Sequence, residues 1–583
     1  MRLAIVDKGK CMPNKCADLC IRLCPLNRDN QDCIVKTDVN VKIDEDLCNG
    51  CGICNKRCPF EAISIVNLPE KLKDDPIYRY GVNAFELFSL PTPKKGVIGI
   101  IGRNGIGKST ALDILSGNIK PNLGKYDEDL KEDEIIKKYS NTLLGDYFKK
   151  LFKKKIKVSY KPQRIELIPK AYKGTVIDLI NKVDKKNIGE KLLKELNLDN
   201  IKNRNIDKLS GGELQKLAII ASIIKDSDVI YLDEPMSFLD ITYRIKVAKL
   251  IRGLEENIIV VEHDLTALDY VSDEIQIVYG EPACYGIFSQ SKSVRRGINE
   301  YLDGFLKDDN IRFRDYSIKF SGYAVKREVS EEVLFEYPDL EKKFENFSLK
   351  VNNGSVRKGE VLGIVGSNGL GKTTFLKLLN GGEKPDKGKI KKLKISYKPQ
   401  HIFSDTDETV LNYLKSKAKE EFGSGWYKQN ILEKLGLGKI LNNKVNSLSG
   451  GELQKVFIAG CLSGDSEIIA MDEPSAFIDV EDRLKVAEII KEFVIKKEVC
   501  AIIVDHDIQF IDYLADSLLV FEGISGESGN VYGPCEKKEG MNRVLKELDI
   551  TYRRDSSTGR PRINKPDSQL DKEQRKKGEY YYV

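Results

Sequence analysis

Long apolar runs are missing from this sequence. Nothing in it approaches the ~18–20 uncharged apolar residues that a membrane-spanning helix needs. The longest runs, Val97–Ile101 and Ala218–Ile224, have the length of buried strands or helix faces. The opening residues, MRLAIVDKGK, read as a strand and hold no apolar core of a secretory signal, so the expected compartment is the cytoplasm. An excess of one charge sign is missing too. Lys and Arg number 95 against 89 Asp and Glu, a net of +6, and the total therefore selects no class of partner. Histidine is scarce, with three in 583 residues, which makes each position informative. Cysteine is scarce beyond residue 59, because nine of the 13 stand before it. Disulfide stapling would spread them; bunching in a chain without an export signal points to metal binding. The rest has an ordinary folded composition, 41% hydrophobic and 32% charged, and is long enough for three or more domains.

The cysteine cluster occupies residues 1–75. Two stretches, 76–290 and 326–535, carry the same ordered set of short motifs, with 291–325 between them and 536–583 after. Ser210 and Ser449 lie 239 residues apart in matching LSGGELQ runs, Glu234 and Glu473 also 239, and His263 and His506 243. Self-similarity at this distance is domain duplication. One interval breaks the symmetry: Lys108 to Gln163 is 55 residues, Lys372 to Gln400 only 28. The 27 extra residues fall at about 130–157, where Leu143, Leu144, Tyr147, Phe148, Leu151 and Phe152 recur at helical spacing and lysines fill the other face. A solvated face is the plain reading of those lysines; an insertion in one copy alone favours a docking surface.

Gly102-Arg-Asn104-Gly105-Ile-Gly107-Lys108-Ser109-Thr110 follows the apolar VIGII and precedes the helical TALDILSG. Gly366-Ser-Asn368-Gly369-Leu-Gly371-Lys372-Thr373-Thr374 follows VLGIV. Strand, glycine loop and helix in that order make a phosphate cradle of backbone N–H groups. Lys108 and Lys372 would reach the β- and γ-phosphates, and Ser109 and Thr373 would ligate Mg²⁺. The strands VIYLDEP and IIAMDEP end on Asp233-Glu234 and Asp472-Glu473. The aspartates suit a magnesium role and the glutamates the activation of the attacking water. Gln163 and Gln400, both in YKPQ, could reach metal and water; His263 and His506, each closing a β-branched strand, could reach the γ-phosphate. An acidic helix cap and a structural histidine are the bland alternatives, and recurrence of the whole ordered set speaks against them. Ser210-Gly211-Gly212 and Ser449-Gly450-Gly451 each open a helix and offer it to an anion. A domain with its own P-loop has no need of a second anion site, so each run is expected to close over ATP held by the other copy.

Cys48-x2-Cys51-x2-Cys54-x3-Cys58-Pro59 matches the bacterial two-cluster ferredoxin run, and Cys11-x4-Cys16-x3-Cys20-x3-Cys24-Pro25 accompanies it. In such ferredoxins the fourth cysteine of each run serves the other cluster. That predicts two [4Fe–4S] clusters, one on Cys24, Cys48, Cys51 and Cys54, the other on Cys11, Cys16, Cys20 and Cys58, with Cys33 left over as a plain thiol. The first run departs from the ferredoxin spacing, and zinc is the alternative occupant.

P-loop, Gln loop, LSGG signature, Asp-Glu strand end and His switch together resemble the ABC ATPase superfamily. The resemblance implies a head-to-tail sandwich. One ATP would lie between the Lys108 loop and Ser449, the other between the Lys372 loop and Ser210, with Asp240 and Asp479 in the connecting D-loops. The whole chain, through YGVNAF (Tyr80–Phe85), GINEYLDGF, NIRFR, GMNRVL and ITYRRDSSTGRPRINK, resembles the ribosome-recycling ABC ATPases of archaea and eukaryotes, the RNase L inhibitor family or ABC subfamily E. That resemblance implies a multidomain α/β protein: a ferredoxin-like α+β iron–sulfur domain, then two ABC-type P-loop domains. The first would carry a helix–loop–helix insertion, and 291–325 and 536–583 would be hinges. It further implies ribosome splitting after termination or rescue, driven by ATP-dependent closure that moves the iron–sulfur domain. The partners would be the small subunit, its rRNA, and a release or rescue factor. Ribosome biogenesis or initiation, with initiation factors as partners, is the alternative. No membrane partner is expected, and a monomer is. Tyr80 and Phe85 would stack on adenine, with Tyr337 and Phe344 as second-copy candidates. The Arg and Lys of both hinges could meet rRNA phosphates or simply cement the cassettes. A redox enzyme, a DNA-repair ATPase with long coiled coils and a transporter subunit fit less well.

Overall fold

The computed structural model describes residues 2–45, 47–67, 75–320, 330–391, 393–400, 402 and 406–581. The expected boundary between 325 and 326 lies outside them.

Each copied stretch builds one large sheet. In the first the strand order is Tyr78–Arg79, Glu86–Leu87, Tyr285–Phe288, Glu274–Glu281, Gly96–Ile101, Asn257–Val261, Val229–Asp233, Val158–Lys161. The last five run parallel. Their residues are almost continuously apolar because helices cover both faces. The strand leading to the glycine loop lies beside the one that ends before His263. That strand lies beside the one ending in Asp233, and Val261 stands opposite Asp233 in register. Three motifs far apart in sequence therefore meet at one sheet edge, at the carboxyl ends of the strands, where α/β sheets bind ligands. The second copy repeats the order as Leu340–Lys343, Ser348–Val351, Ser528–Glu536, Ser517–Ile524, Val361–Val365, Cys500–Val504, Ile468–Asp472, Ile395–Lys398.

The insertion forms two helices, Glu132–Lys138 and Leu143–Phe152. Leu144, Tyr147 and Phe148 are buried against the first sheet's core, and the Tyr147 hydroxyl bonds Leu115 O at 2.6 Å and the Tyr231 hydroxyl at 2.7 Å. Leu143, counted on the apolar face by spacing, is 73% exposed. Lys149, Lys150, Lys153, Lys154 and Lys155 face solvent.

The cysteine-rich domain pairs Arg2–Val6 with Ile63–Asn67 and Ile34–Lys36 with Val41–Ile43 around short helices. It docks on the first cassette through Asn83, whose side-chain amide donates to Ala4 O and Ile43 O and accepts from Ile43 N. Arg79 adds ion pairs to Glu45 and, at 3.1 Å, to Glu86.

The C-terminal residues fold back on the first cassette. Arg560, fully buried, and Arg562 both bind Asp269, and Arg562 and Arg295 share Asp555. For Arg560 and Arg562 the structure favours the cementing alternative over the rRNA-facing one: their charges are spent on carboxylates inside the molecule. Lys572, Lys576 and Lys577 stay exposed.

Candidate active sites and metal centre

Each glycine loop ends in a left-handed residue that only glycine fits. Gly107 has φ +89°, and a Cβ there would fall 2.6 Å from the Phe85 ring; Gly371 has φ +93° with the Phe347 ring at 2.9 Å. Helices Lys108–Leu115 and Lys372–Leu379 start at these glycines and point their N-termini into the cradles. Lys108 Nζ donates to Gly102 O at 2.9 Å and Arg103 O at 2.7 Å; Lys372 Nζ donates to Gly366 O at 2.8 Å. Burial lowers the pKa of both lysines.

The strand-end acids are equally enclosed. Burial raises the pKa of Asp233, Glu234, Asp472 and Glu473. Glu234 and Glu473 hold φ of +47° and +49°, a left-handed conformation that costs a non-glycine residue about 1–3 kcal/mol and gathers at functional sites. Gln163 Nε2 donates to Glu234 Oε1 at 2.7 Å, and Gln400 Nε2 to Glu473 Oε1 at 2.6 Å. His263 Nε2 lies 3.6 Å and His506 Nε2 3.5 Å from the same carboxylates. Burial drives both imidazoles well below their usual pKa, so they are neutral at pH 7. Both carboxylate oxygens of Asp233 and both ring nitrogens of His263 are buried without a hydrogen-bond partner, and the Ser109 hydroxyl is next to Asp233. Orphaned acceptors beside a hydroxyl fit a hydrated cation, and an orphaned imidazole beside the cradle fits a terminal phosphate. In the second copy His506 Nε2 instead lies 3.0 Å from Asn368 Oδ1 and 3.3 Å from Lys372 Nζ.

The two cradles face the opposite copy. Asn104 N donates to Asp479 Oδ2 at 3.4 Å, Asn104 Nδ2 to Phe477 O at 3.2 Å, and Asn368 N to Asp240 Oδ2 at 2.9 Å. A Cβ on Gly451 would stand 3.9 Å from Asn104 Nδ2, which puts the second LSGG run against the first glycine loop. Ser210 and Ser449 cap helices Gly211–Ile223 and Gly450–Leu462 in reciprocal capping boxes with Glu213 and Glu452.

Two kinds of residue escaped the sequence reading. Lys161 and Lys398 of the YKPQ runs donate to the carbonyls of Asp233 and Glu234, and of Asp472 and Glu473; burial pulls both down to about pKa 8. Gln215 and Gln454, the last residues of the LSGGELQ runs, donate to Glu234 O and Glu473 O. Their signal was the duplication itself, since each recurs in both copies. Tyr80 Oη lies 3.1 Å from Thr110 Oγ1, with Phe85 beside it. Tyr337 is corrected: it is 2% exposed, packed against Phe375, because its strand turns the ring into the core. Phe347 holds the place of Phe85, with the exposed Phe344 ring 6.4 Å away; the shared Phe-x-Leu of Phe85–Leu87 and Phe347–Leu349 was its signal.

The thiols fall into two neighbourhoods. Cys11 and Cys20 interact with Cys16 and Cys58, whereas Cys54 interacts with Cys48, Cys51 and Cys24. Burial pushes Cys20 to about pKa 12 and Cys54 to about 11, so a metal would have to displace their protons. Among the described residues no three His, Cys, Asp or Glu side chains close to the spacing of a single-ion site. Cys33, expected to be left over as a plain thiol, is 1% exposed and lines one hollow with Cys24, Cys48, Cys51 and Cys54. All-thiol donor sets without carboxylate or imidazole fit an iron–sulfur group. Among the described residues no helix is long and apolar enough to cross a membrane.

Paired P-loop sheets, each cradle bonded to the D-loop aspartate of the opposite copy, define a twin ABC-type ATPase. The family model described as "ABC transporter" matches residues 86–237 and 349–476; "Possible Fer4-like domain in RNase L inhibitor, RLI" matches 1–32 and "4Fe-4S binding domain" 41–64. The chain is 49% identical to an ATP-binding protein of Methanocaldococcus jannaschii, over 100% of this chain and 98% of that one. It is 42% identical to the translation initiation factor RLI1 of Saccharomyces cerevisiae, over 100% and 98%. A chain of the assembly described as "Model of ribosome-bound archaeal Pelota and ABCE1" superposes with TM-score 0.95 at 47% identity, over 100% of this chain and 99% of that one. Archaeal ABCE1 in complex with the ribosomal stalk protein aP1 gives TM-score 0.83 at 48% identity, over 88% and 100%. The chain belongs to the RNase L inhibitor family, ATP-hydrolysing ABC proteins with an N-terminal 4Fe–4S-binding domain.

Proposed function

We propose that this protein is an ATP-driven ribosome recycling factor that separates the subunits after termination or rescue. The observation that carries the reading is the full-length likeness to the chain of a ribosome-bound assembly, combined with two composite nucleotide cradles and a cysteine-rich domain docked beside the first. ATP in the first cradle is held by Gly102, Asn104, Gly105, Gly107, Lys108, Ser109 and Thr110, with Tyr80 and Phe85 on adenine and Ser449–Gly451 closing from the other copy. The second uses Gly366, Asn368, Gly369, Gly371, Lys372, Thr373 and Thr374 with Ser210–Gly212. Ser109, Gln163 and Asp233, and Thr373, Gln400 and Asp472, hold Mg²⁺, which when bound offsets phosphate charge. Glu234 and Glu473 accept the proton of the attacking water, Gln163 and Gln400 orient it, and His263 and His506 bond the γ-phosphate as neutral donors.

Two [4Fe–4S] clusters take the cysteine sets Cys11, Cys16, Cys20 and Cys58, and Cys24, Cys48, Cys51 and Cys54. Closure at the first cradle reaches that domain by a short path: Tyr80 and Phe85 flank Asn83, and Arg79 pairs with both Glu45 and Glu86. The protein acts as a cytoplasmic monomer on the small subunit and its rRNA, through the lysine face of the insertion and exposed hinge cations, beside a release or rescue factor. A role in initiation, with initiation factors as partners, is the second reading, favoured by the name of the yeast relative. Sedimentation of ribosomes with the protein, a rescue factor and ATP tests both. Wild type should split them, and the Glu234→Gln, Glu473→Gln double variant should remain on the small subunit. Ribosomes left intact, with no small-subunit binding, would overturn the recycling reading.

A further inference from the structure

Both cradles are tied to the opposite copy by a glycine-loop N–H on a D-loop aspartate, Asn104 on Asp479 and Asn368 on Asp240, yet a second contact beside that bond differs in chemistry. The second position of the first glycine loop is Arg103, and of the second loop Ser367. The residue two beyond the D-loop aspartate is Glu481 in the second copy and Thr242 in the first. These are the side chains that meet across each cradle. At the second cradle Thr242 Oγ1 and Ser367 Oγ lie 2.7 Å apart, a neutral hydroxyl pair. At the first, Arg103 Nε stands 3.9 Å from Glu481 Oε2 in a field of acids that includes Asp479 and Asp482.

Glu481 does not stop at the glycine loop. Its side chain is 7% exposed, and the same carboxylate accepts from the Tyr316 hydroxyl and lies 3.8 Å from Arg314 Nη1. Lys485 Nζ, one turn along the helix, also reaches it, at 2.6 Å. Arg314 is buried and donates through Nη2 to Tyr301 O and Leu302 O, both at 2.6 Å, at the end of helix Val294–Asp303. That helix carries Arg295 and Asn299, which bind Asp555 and Ser557 of the C-terminal fold-back. The first glycine loop is thus joined through one carboxylate to the segment linking the cassettes. The hydroxyl pair at the second cradle offers a single direct contact and no charge.

We propose that Arg103 and Glu481 are positioning residues specific to the first cradle, which lock ATP there by an ionic contact and hand its closure to the Arg314–Tyr316 segment, while the second cradle closes without reporting to it. The inference rests on the composite-site reading above. A charged lock across a partly exposed gap weakens with salt, as a neutral hydroxyl pair does not.

The test uses the full chain with its clusters. Radiolabelled ATP is trapped in Glu234→Gln, where the first cradle cannot hydrolyse, or in Glu473→Gln, where the second cannot, and its release is followed after an unlabelled chase. Adding Glu481→Gln should speed release about three- to tenfold from the first cradle and less than about twofold from the second. Arg103→Ser should do the same, and the Arg103→Ser, Glu481→Gln pair should be no worse than either alone. Tyr316→Phe should speed release from the first cradle only. A loss shared equally by the two cradles, or effects of the two substitutions that simply add, would overturn the lock. Should Glu481→Gln not fold, the same release is measured without it at rising salt. Release from the first cradle must then accelerate more than from the second between about 0.05 and 0.5 M; equal slopes overturn the proposal. If neither glutamine background traps ATP, the composite-site reading falls and the lock with it.

Discussion

Glu234 and Glu473 show how much a single residue here owes to its neighbours. Each sits in left-handed backbone, each accepts from a glutamine of the same cassette, and each has its carbonyl held by a buried lysine and a second glutamine. Changing either to Gln should slow hydrolysis at that cradle by roughly 10²-fold or more, read as phosphate release in single turnover. Gln215→Leu should take the glutamine donor from Pro235 O and leave Glu234 O to Lys161, lowering stability by about 1–3 kcal/mol in denaturant melts, with a fall in turnover as the carboxylate's seat loosens. Asp269 belongs to the same scale. It is the shared partner of Arg560 and Arg562, and Asp269→Ala would strand the fully buried Arg560 charge at a cost of about 3–5 kcal/mol, measured by thermal or denaturant unfolding. The carboxylate, glutamine and histidine motifs were legible in the sequence because they repeat. The buried ion pair was not, because an Arg-rich tail looks the same whether its partners are phosphates or interior aspartates.

The insertion is the element that most separates the two cassettes. The helical spacing of its second helix was legible: Leu144, Tyr147 and Phe148 are buried, Leu151 and Phe152 half-buried, and Leu143, at the helix start, faces outward, while the buried Ile135 of the first helix was not among the residues the spacing named. What spacing could not say is what the element rests on. The Tyr147–Tyr231 hydroxyl pair and the Phe148 ring pin it to the first sheet. Phe148→Ala should cost about 3–5 kcal/mol of packing. Hydrogen exchange should then rise across residues 132–152 before the central strands lose protection. The adenine-side aromatics carry a similar lesson. The strand Val333–Tyr337 buries the tyrosine chosen by type and leaves the place to Phe347, which lies nearer in sequence to its glycine loop.

For the whole molecule, the docking of the cysteine-rich domain depends on pH through Glu86, the partner of Arg79 beside it. Burial raises Glu86 from an ordinary 4.5 to about 7, with Arg79 opposing and Glu45 adding to the rise. A carboxyl whose folded value is raised favours the folded state while protonated. Its contribution is therefore complete below about pH 4.5 and is lost as pH climbs to about 7. Wild type should lose stability relative to Glu86→Gln between pH 5 and pH 8, by on the order of 2 kcal/mol, seen as a widening gap between their melting midpoints.

The sequence by itself determined the duplication, the P-loop chemistry of both copies, the cysteine-rich start and the family to which these point, because each is a spacing of residue types that local backbone geometry must obey. Tertiary structure alone decided that Cys33 shares a hollow with four other thiols, that the Tyr337 ring turns into the core, that Arg560 and Arg562 meet an interior aspartate, and that an ion pair stands across one cradle where a hydroxyl pair stands across the other. Those are contacts between residues up to several hundred positions apart, and only the packing of two sheets and their hinges sets them.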